Sequence, residues 1–147
     1  MNISLRDETD AVTEDGYTWI TLKASAAIAA GACVQLDNSK SGDAKLKYVK
    51  TALASAVGQA FAIGFALDAA AAEDDLVRVV IHGLMENAFV DNSVAVGPVV
   101  QGGSTAGLTI ANSASITSPI LAINLVTGTS SLKSTVYVLN PLGLPLS

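Results

Sequence analysis

Ile28-Ala29-Ala30-Gly31-Ala32-Cys33-Val34-Gln35 is matched later in the chain by Val94-Ala95-Val96-Gly97-Pro98-Val99-Val100-Gln101. A polar, turn-forming stretch follows each: Asp37-Asn38-Ser39 in the first case, Gly102-Gly103-Ser104 in the second. Each copy then runs through an apolar segment, a polar loop and an alternating segment. These are residues 62–67, 68–75 and 76–82 in the first, and 120–126, 127–131 and 132–140 in the second. The spacing between copies drifts from 66 to about 57 residues, so the loops differ in length while the order holds. Strand-loop-strand units used twice point to a mainly β fold, a compact sandwich or barrel-like domain with an internal duplication. A chance match of short apolar segments is the alternative.

Working outward, residues 17–23 alternate: Thr18, Ile20 and Leu22 on one face, Tyr17, Trp19, Thr21 and Lys23 on the other. That is a strand, rich in aromatic residues that favour it. Residues 32–36 and 45–50 are expected to form a hairpin around a turn at 37–43. Residues 51–57 are ambiguous, because alanine favours helix but Gly58 soon stops it. Residues 60–67 read as a buried strand with Gly64 at a bulge or a close approach. A loop at 68–75, with one helical turn in 69–72, leads to a strand at 76–82. There Val77, Val79 and Ile81 share a face. A separate short strand is expected at 85–90. In the second half, 94–100, 108–111, 120–126 and 135–139 repeat the logic.

Residues 1–16 hold five acids against one arginine and show no apolar period, which predicts an extended acidic arm closed by a turn at Glu14-Asp15-Gly16. Residues 141–147 form an extended tail in which Leu142, Leu144 and Leu146 alternate with glycine and proline. The expected organisation is therefore an arm (1–16), one β-rich domain (17–140) and an apolar tail (141–147) that docks on its own sheet or on a neighbouring subunit.

The chain has 147 residues, one domain's worth. Charged residues are 14%, against roughly 25% in an ordinary soluble domain. So little charge predicts surface hidden against other copies or a partner. With a net charge of −5 and only Lys45, Lys47 and Lys50 grouped, no nucleic-acid stripe is expected. The first six residues run into acids rather than an apolar stretch, so no signal peptide is expected. The uncharged segments 51–67 and 92–132 are too rich in small or polar residues to read as membrane spans.

No reactive constellation emerges. His82 is the sole histidine and lies in no nucleophile-elbow pattern. Cys33 sits in an apolar run and reads as a small hydrophobe. One of each cannot make a usual zinc site. Glu73-Asp74-Asp75 lacks the alternating spacing of a calcium loop. Gly102-Gly103-Ser104-Thr105-Ala106-Gly107 lacks the lysine of a phosphate loop and reads as a hairpin connection. No catalytic residue, metal or cofactor is expected.

Three segments together carry a resemblance. Ala30-Gly31-Ala32-Cys33-Val34-Gln35-Leu36, Ala62-Ile63-Gly64-Phe65-Ala66-Leu67-Asp68-Ala69-Ala70 and Val77-Arg78-Val79-Val80-Ile81-His82-Gly83 resemble the β-rich decoration, or cement, proteins of tailed-phage heads. The likeness covers roughly residues 26–103 and rests on small and apolar residues. Glu73-Asp74-Asp75 departs from it, standing where a glycine-containing turn is expected. The resemblance implies a virion protein, made in the host cytoplasm. It binds the major capsid protein on the outer head surface, as a homotrimer, and stabilises the head without an active site. It also implies capsid contact through the arm, at Ile3, Leu5, Asp7, Glu8 and Asp10. For subunit packing the candidates are Trp19, Leu142, Leu144 and Leu146, an ordinary core position being the alternative for Trp19. Rival readings are a tail, fibre or baseplate β module, a small-molecule-binding β barrel, and, last, an enzyme.

Overall fold

The computed structural model describes residues 12–14, 16–52, 62–91, 94–101, 107, 109–111, 120–126 and 133–140. Among the described residues ten strands make one sheet: β1 (Val12–Glu14), β2 (Tyr17–Ala24), β3 (Cys33–Leu36), β4 (Tyr48–Thr51), β5 (Ala62–Ala66), β6 (Leu76–Phe89), β7 (Gly97–Gln101), β8 (Thr109–Ala111), β9 (Ala122–Asn124) and β10 (Lys133–Leu139). Their order is β1-β2-β4-β3-β5-β6-β10-β9-β7-β8, with β2 also paired to β6.

That extra pairing closes a five-stranded barrel. β2 runs parallel to β4 through Lys23↔Tyr48 and Ala24↔Val49. The circuit continues antiparallel through β3, β5 and β6 and returns to β2. Closure leaves these five strands no free edge, so the ladder satisfies their backbone. The interior is filled by Ile20, Leu22, Val34, Ile63, Val79 and Ile81 with their neighbours, all almost fully buried. The domain is thus barrel-like rather than a sandwich.

The second half follows the same circuit. The later residues of β6 pair antiparallel with β10, β10 with β9, β9 with β7, and β7 with β8. A parallel bridge, Val90↔Thr109, joins β8 back to the residue after β6. The correspondence extends to register. Lys23↔Leu76 and Leu22↔Val77 in the first circuit match Phe89↔Lys133 and Ala88↔Ser134 in the second. The steps are again 66 residues on one strand and 57 on the other. Ser25 N–H donates to Val49 O at 2.8 Å, and Asp91 N–H donates to Thr109 O at 2.9 Å. Even the left-handed residues coincide, Gly83 with φ 97° and Asn140 with φ 55°. The two stretches that open the duplication thus belong to one topological unit built twice.

Several local expectations need correction. Residues 76–82 and 85–90 are one 14-residue strand, β6. Gly83 does not end it, because its positive φ is absorbed where β6 passes from one barrel to the other. The pairings shift between Thr18 and Trp19 on one side and between Ser134 and Val136 on the other. Both shifts leave an extra residue on β6, the signature of a bulged strand. The hairpin of β3 and β4 is present, but residues 42–46 form a 3-10 turn, so its second strand starts at Tyr48 rather than 45. Residues 69–72 contain no helical turn; Ala70 instead bridges Ile28. The acidic arm is not wholly outside the sheet, since β1 pairs with Tyr17, Thr18 and Trp19. Of the ambiguous 51–57 segment, Thr51 ends β4; 53–57 lie outside the described residues.

Gly64 is both a bulge and a close approach. β5 pairs Val34↔Gly64 and then Gln35↔Ala62, leaving Ile63 extra. A Cβ at Gly64 would overlap the Val80 carbonyl and stand 2.9 Å from its carbon. Backbone cannot swing aside as a side-chain end does. Gly64→Ala is therefore expected to cost at least about 2 kcal/mol in urea unfolding; an unchanged midpoint contradicts this packing.

Candidate interaction surface

Charge divides the molecule. Of the eight lysines and arginines only Lys133 lies beyond position 91, and none of the thirteen acids does. The first barrel therefore carries most of the charged surface, and the second keeps only Glu86, Asp91 and Lys133.

On the first barrel the charges are tied to one another. Asp37, 4% exposed, holds the start of the β3–β4 connection. Its carboxylate accepts from Ser25 Oγ at 2.7 Å, Ser39 Oγ at 2.6 Å and Ser39 N–H at 3.1 Å, and pairs with Lys50 Nζ at 3.1 Å. Burial works to raise this carboxyl, but the hydrogen bonds from Ser39 and Ser25 and the contact with Lys50 outweigh it. They hold the group well below the usual carboxylate range. Arg78 makes a two-pronged contact with Asp68, Nε to Oδ2 at 2.8 Å and Nη2 to Oδ1 at 2.7 Å, which lowers the Asp68 carboxyl as well.

The acidic loop is a structural turn. Asp75 Oδ2 accepts from the N–H groups of Ala71 and Ala72 at 2.8 and 3.0 Å. Asp74 has φ 70° and accepts from the Tyr48 hydroxyl. Glu73 pairs with Lys40, whose ammonium lies 4.6 Å from the Tyr48 ring centre. The hydrogen bond to Asp74, with burial behind it, pushes the Tyr48 hydroxyl up. Among the described residues no group of three or more His, Cys, Asp or Glu is placed to hold a metal.

The remaining single candidates are dispersed. Cys33 is fully buried, and burial pushes its thiol well above its ordinary range. His82 is half-buried on β6, its ring edge-on to Tyr137 at 5.4 Å. Trp19 is 8% exposed within one chain, beside the Tyr17 ring at 5.7 Å and under the Arg78 guanidinium at 5.5 Å. That burial matches the core alternative. Ile3, Leu5, Asp7, Glu8, Asp10, Leu142, Leu144 and Leu146 lie outside the described residues.

What the sequence reading missed is an apolar row on the second barrel. Leu84, Tyr137 and Ile123 sit opposite one another across β6, β10 and β9. All three are exposed, as are Leu125 and Leu139 beside them. Such a cluster, with Glu86 on β6 and Lys133 on β10 as the charges beside it, is where a partner removes most apolar area for little desolvation of charge. The signal lay in the alternation of residues 133–139, whose outward members include tyrosine and leucine.

Neither protein-family models nor curated proteins show a match to this chain.

Because the folded Asp37 carboxyl is depressed, its contribution is complete above the unfolded value of about 4 and declines as pH falls below it. Asp37→Asn is expected to cost about 2 kcal/mol at pH 7, with the gap to the parent narrowing as urea titrations move from pH 4 toward pH 2. A gap independent of pH contradicts the ionised role.

Proposed function

We propose that this chain is a capsid decoration, or cement, protein: it binds the outside of a phage head as an oligomer and braces adjacent capsomers. The observation that carries the proposal is the division of charge between the barrels. One barrel has a solvated, ion-paired surface. The other has an apolar row of exposed Leu84, Ile123 and Tyr137 with only Glu86 and Lys133 charged on the same part of these strands, the pattern of a protein held between water and a partner. The resemblance to head-decoration proteins supports the same reading. Its three segments fall on β3, β5 and β6, which are neighbours in the first barrel.

The role is mechanical. Two barrels joined through β6 make a block that resists shear, because displacement must break several ladder hydrogen bonds at once. An oligomer presents several copies of each contact, so after one binds the others act at high effective concentration. Capsid contact is assigned to the arm: Ile3 and Leu5 add apolar area, and Asp7, Glu8 and Asp10 supply charge. The arm leads directly into β1, so a pull on it is transmitted to β2 through the ladder from Val12↔Trp19 to Glu14↔Tyr17.

Deletion of residues 1–11, which spares β1, is expected to leave a cooperatively folding protein that no longer co-sediments with expanded, DNA-filled heads. Full retention on heads removes the arm from the mechanism. Binding of the intact chain to purified tails but not heads overturns the cement reading.

A further inference from the structure

β2 has three neighbours on two edges. β6 lies along one edge from Tyr17 to Lys23. β1 and β4 share the other: β1 pairs as far as Val12↔Trp19, and β4 begins at Lys23↔Tyr48. Among the described residues no strand pairs with that edge at Ile20, Thr21 and Leu22. Alternation decides which backbone groups face the gap. Lys23 N–H donates across this edge to Lys47 O at 2.8 Å, so Thr21, two residues earlier, turns its N–H and C=O the same way. Arg78, opposite Thr21 on β6, is in the matching phase: its carbonyl accepts from Leu67 N–H at 2.8 Å, on the side away from β2. The peptide groups of half-buried Thr21 thus face a short gap with strand on either side of it.

We infer that the chain's own residues 9–11 fill this gap, continuing β1 so that Asp10 exchanges both backbone hydrogen bonds with Thr21. Direction and register select the occupant. β1 runs antiparallel to β2, so each residue before Val12 advances one residue beyond Trp19. Residue 11 then stands opposite Ile20, 10 opposite Thr21 and 9 opposite Leu22. The residue types agree with that phase. Ile20 and Leu22 point into the buried interior, and their counterparts, Ala11 and Thr9, carry no charge. Asp10 falls on the outer face with Trp19, Thr21 and Lys23, diagonal to Lys23, whose ammonium also lies 3.8 Å from Asp74. Arg78 is already held by Asp68. The added ladder stops at residue 9, because Lys47 occupies the edge at Lys23. The arm is released there, beside Lys47 and exposed Leu46, with residues 1–8 left for the capsid and the Asp10 side chain still facing outward. The inference deepens the cement reading, on which it rests for the arm's role, by fixing where the arm is anchored.

The test is amide hydrogen exchange by NMR, read at Thr21 in the full-length chain, in the chain lacking residues 1–11, and in Asp10→Pro and Ala11→Pro. Successive N–H groups of a strand point to opposite edges. Proline at 10 therefore removes a bond to Thr21, whereas proline at 11 removes an N–H directed away from β2. Thr21 is expected to be protected in the parent and in Ala11→Pro, and to exchange at least about tenfold faster in the deletion and in Asp10→Pro. Leu22, whose N–H turns toward β6, is expected to stay protected throughout. If a proline disturbs the whole domain, Leu22 reports it and the deletion decides. A parent in which Thr21 exchanges as fast as in the deletion overturns the inference, as do equal effects of the two prolines. Protection that is lost on dilution assigns the gap to another copy's segment and overturns it too. Protection of Thr21 by an arm that proves dispensable on heads upholds this inference and removes the arm from the cement mechanism. An arm required on heads that leaves Thr21 unprotected overturns this inference alone.

Discussion

β6 belongs to two barrels at once, and the rest of the structure depends on that. Its earlier residues close the first circuit against β2 and β5, and its later residues open the second against β10. A strand cannot turn freely about its own axis while both sides are hydrogen bonded. The two barrels are therefore fixed relative to each other by backbone geometry as well as by side-chain packing. The handover occurs at Gly83, which pairs with Tyr17 in one barrel and Val138 in the other. Its φ of 97° suits glycine, and a Cβ there would collide with the backbone of Gly16 and Tyr17. The close approach of the β1–β2 turn and the passage from barrel to barrel thus fall on one residue.

Equivalent topology has not produced equivalent interiors. Where the first barrel places Ala66, Val77 and Val49, the second places Asn124, Ser134 and Thr109, all buried. These polar groups are satisfied. Ser134 Oγ donates to Asn124 Oδ1 at 2.7 Å, Asn124 Nδ2 donates to Val126 O at 2.7 Å and to Ala95 O at 3.2 Å, and Thr109 Oγ1 donates to Phe89 O at 2.8 Å. Buried polar groups with partners add little net stability but penalise every register that unpairs them. In a half built from Ala, Val, Ile, Ser and Thr, where many alignments bury similar area, that penalty selects one. The second barrel is also bound to the first by backbone: Cys33 N–H donates to Gly107 O and Gly107 N–H to Ala52 O, each at 2.8 Å.

Much of this was legible from residue order. The alternation of 17–23 placed β2 to within a residue, and the apolar character of 62–67 placed β5. Gly64 could be singled out because a glycine inside an apolar strand has few other reasons to be there. Glu73-Asp74-Asp75 looked anomalous against the expected glycine turn. Asp74 resolves the anomaly, since aspartate is among the few residues that tolerate the left-handed conformation a glycine would take. The unity of β6 was not legible. Gly83 looks like punctuation between two strands, and only its pairing on both sides, with Tyr17 and with Val138, carries one strand through it. Nor could the sequence separate Trp19 as a core residue from Trp19 as a contact, since alternation assigns a face but not what covers it.

Sequence alone determined the β class and the scarcity of charge after Asp91, and it offered the doubled unit with its 66- and 57-residue steps, which the strand registers then bore out. Each follows from local preference or from counting: a period of two, a repeated run, a missing side-chain type. Tertiary structure alone decided that the units close as barrels, that they share a strand, and that one wall is covered while its twin is bare. Those depend on pairings between residues far apart in the chain. An outward-facing apolar residue such as Phe65 or Ile123 carries the same signal in sequence, and its exposure is fixed only by what the rest of the fold lays over it.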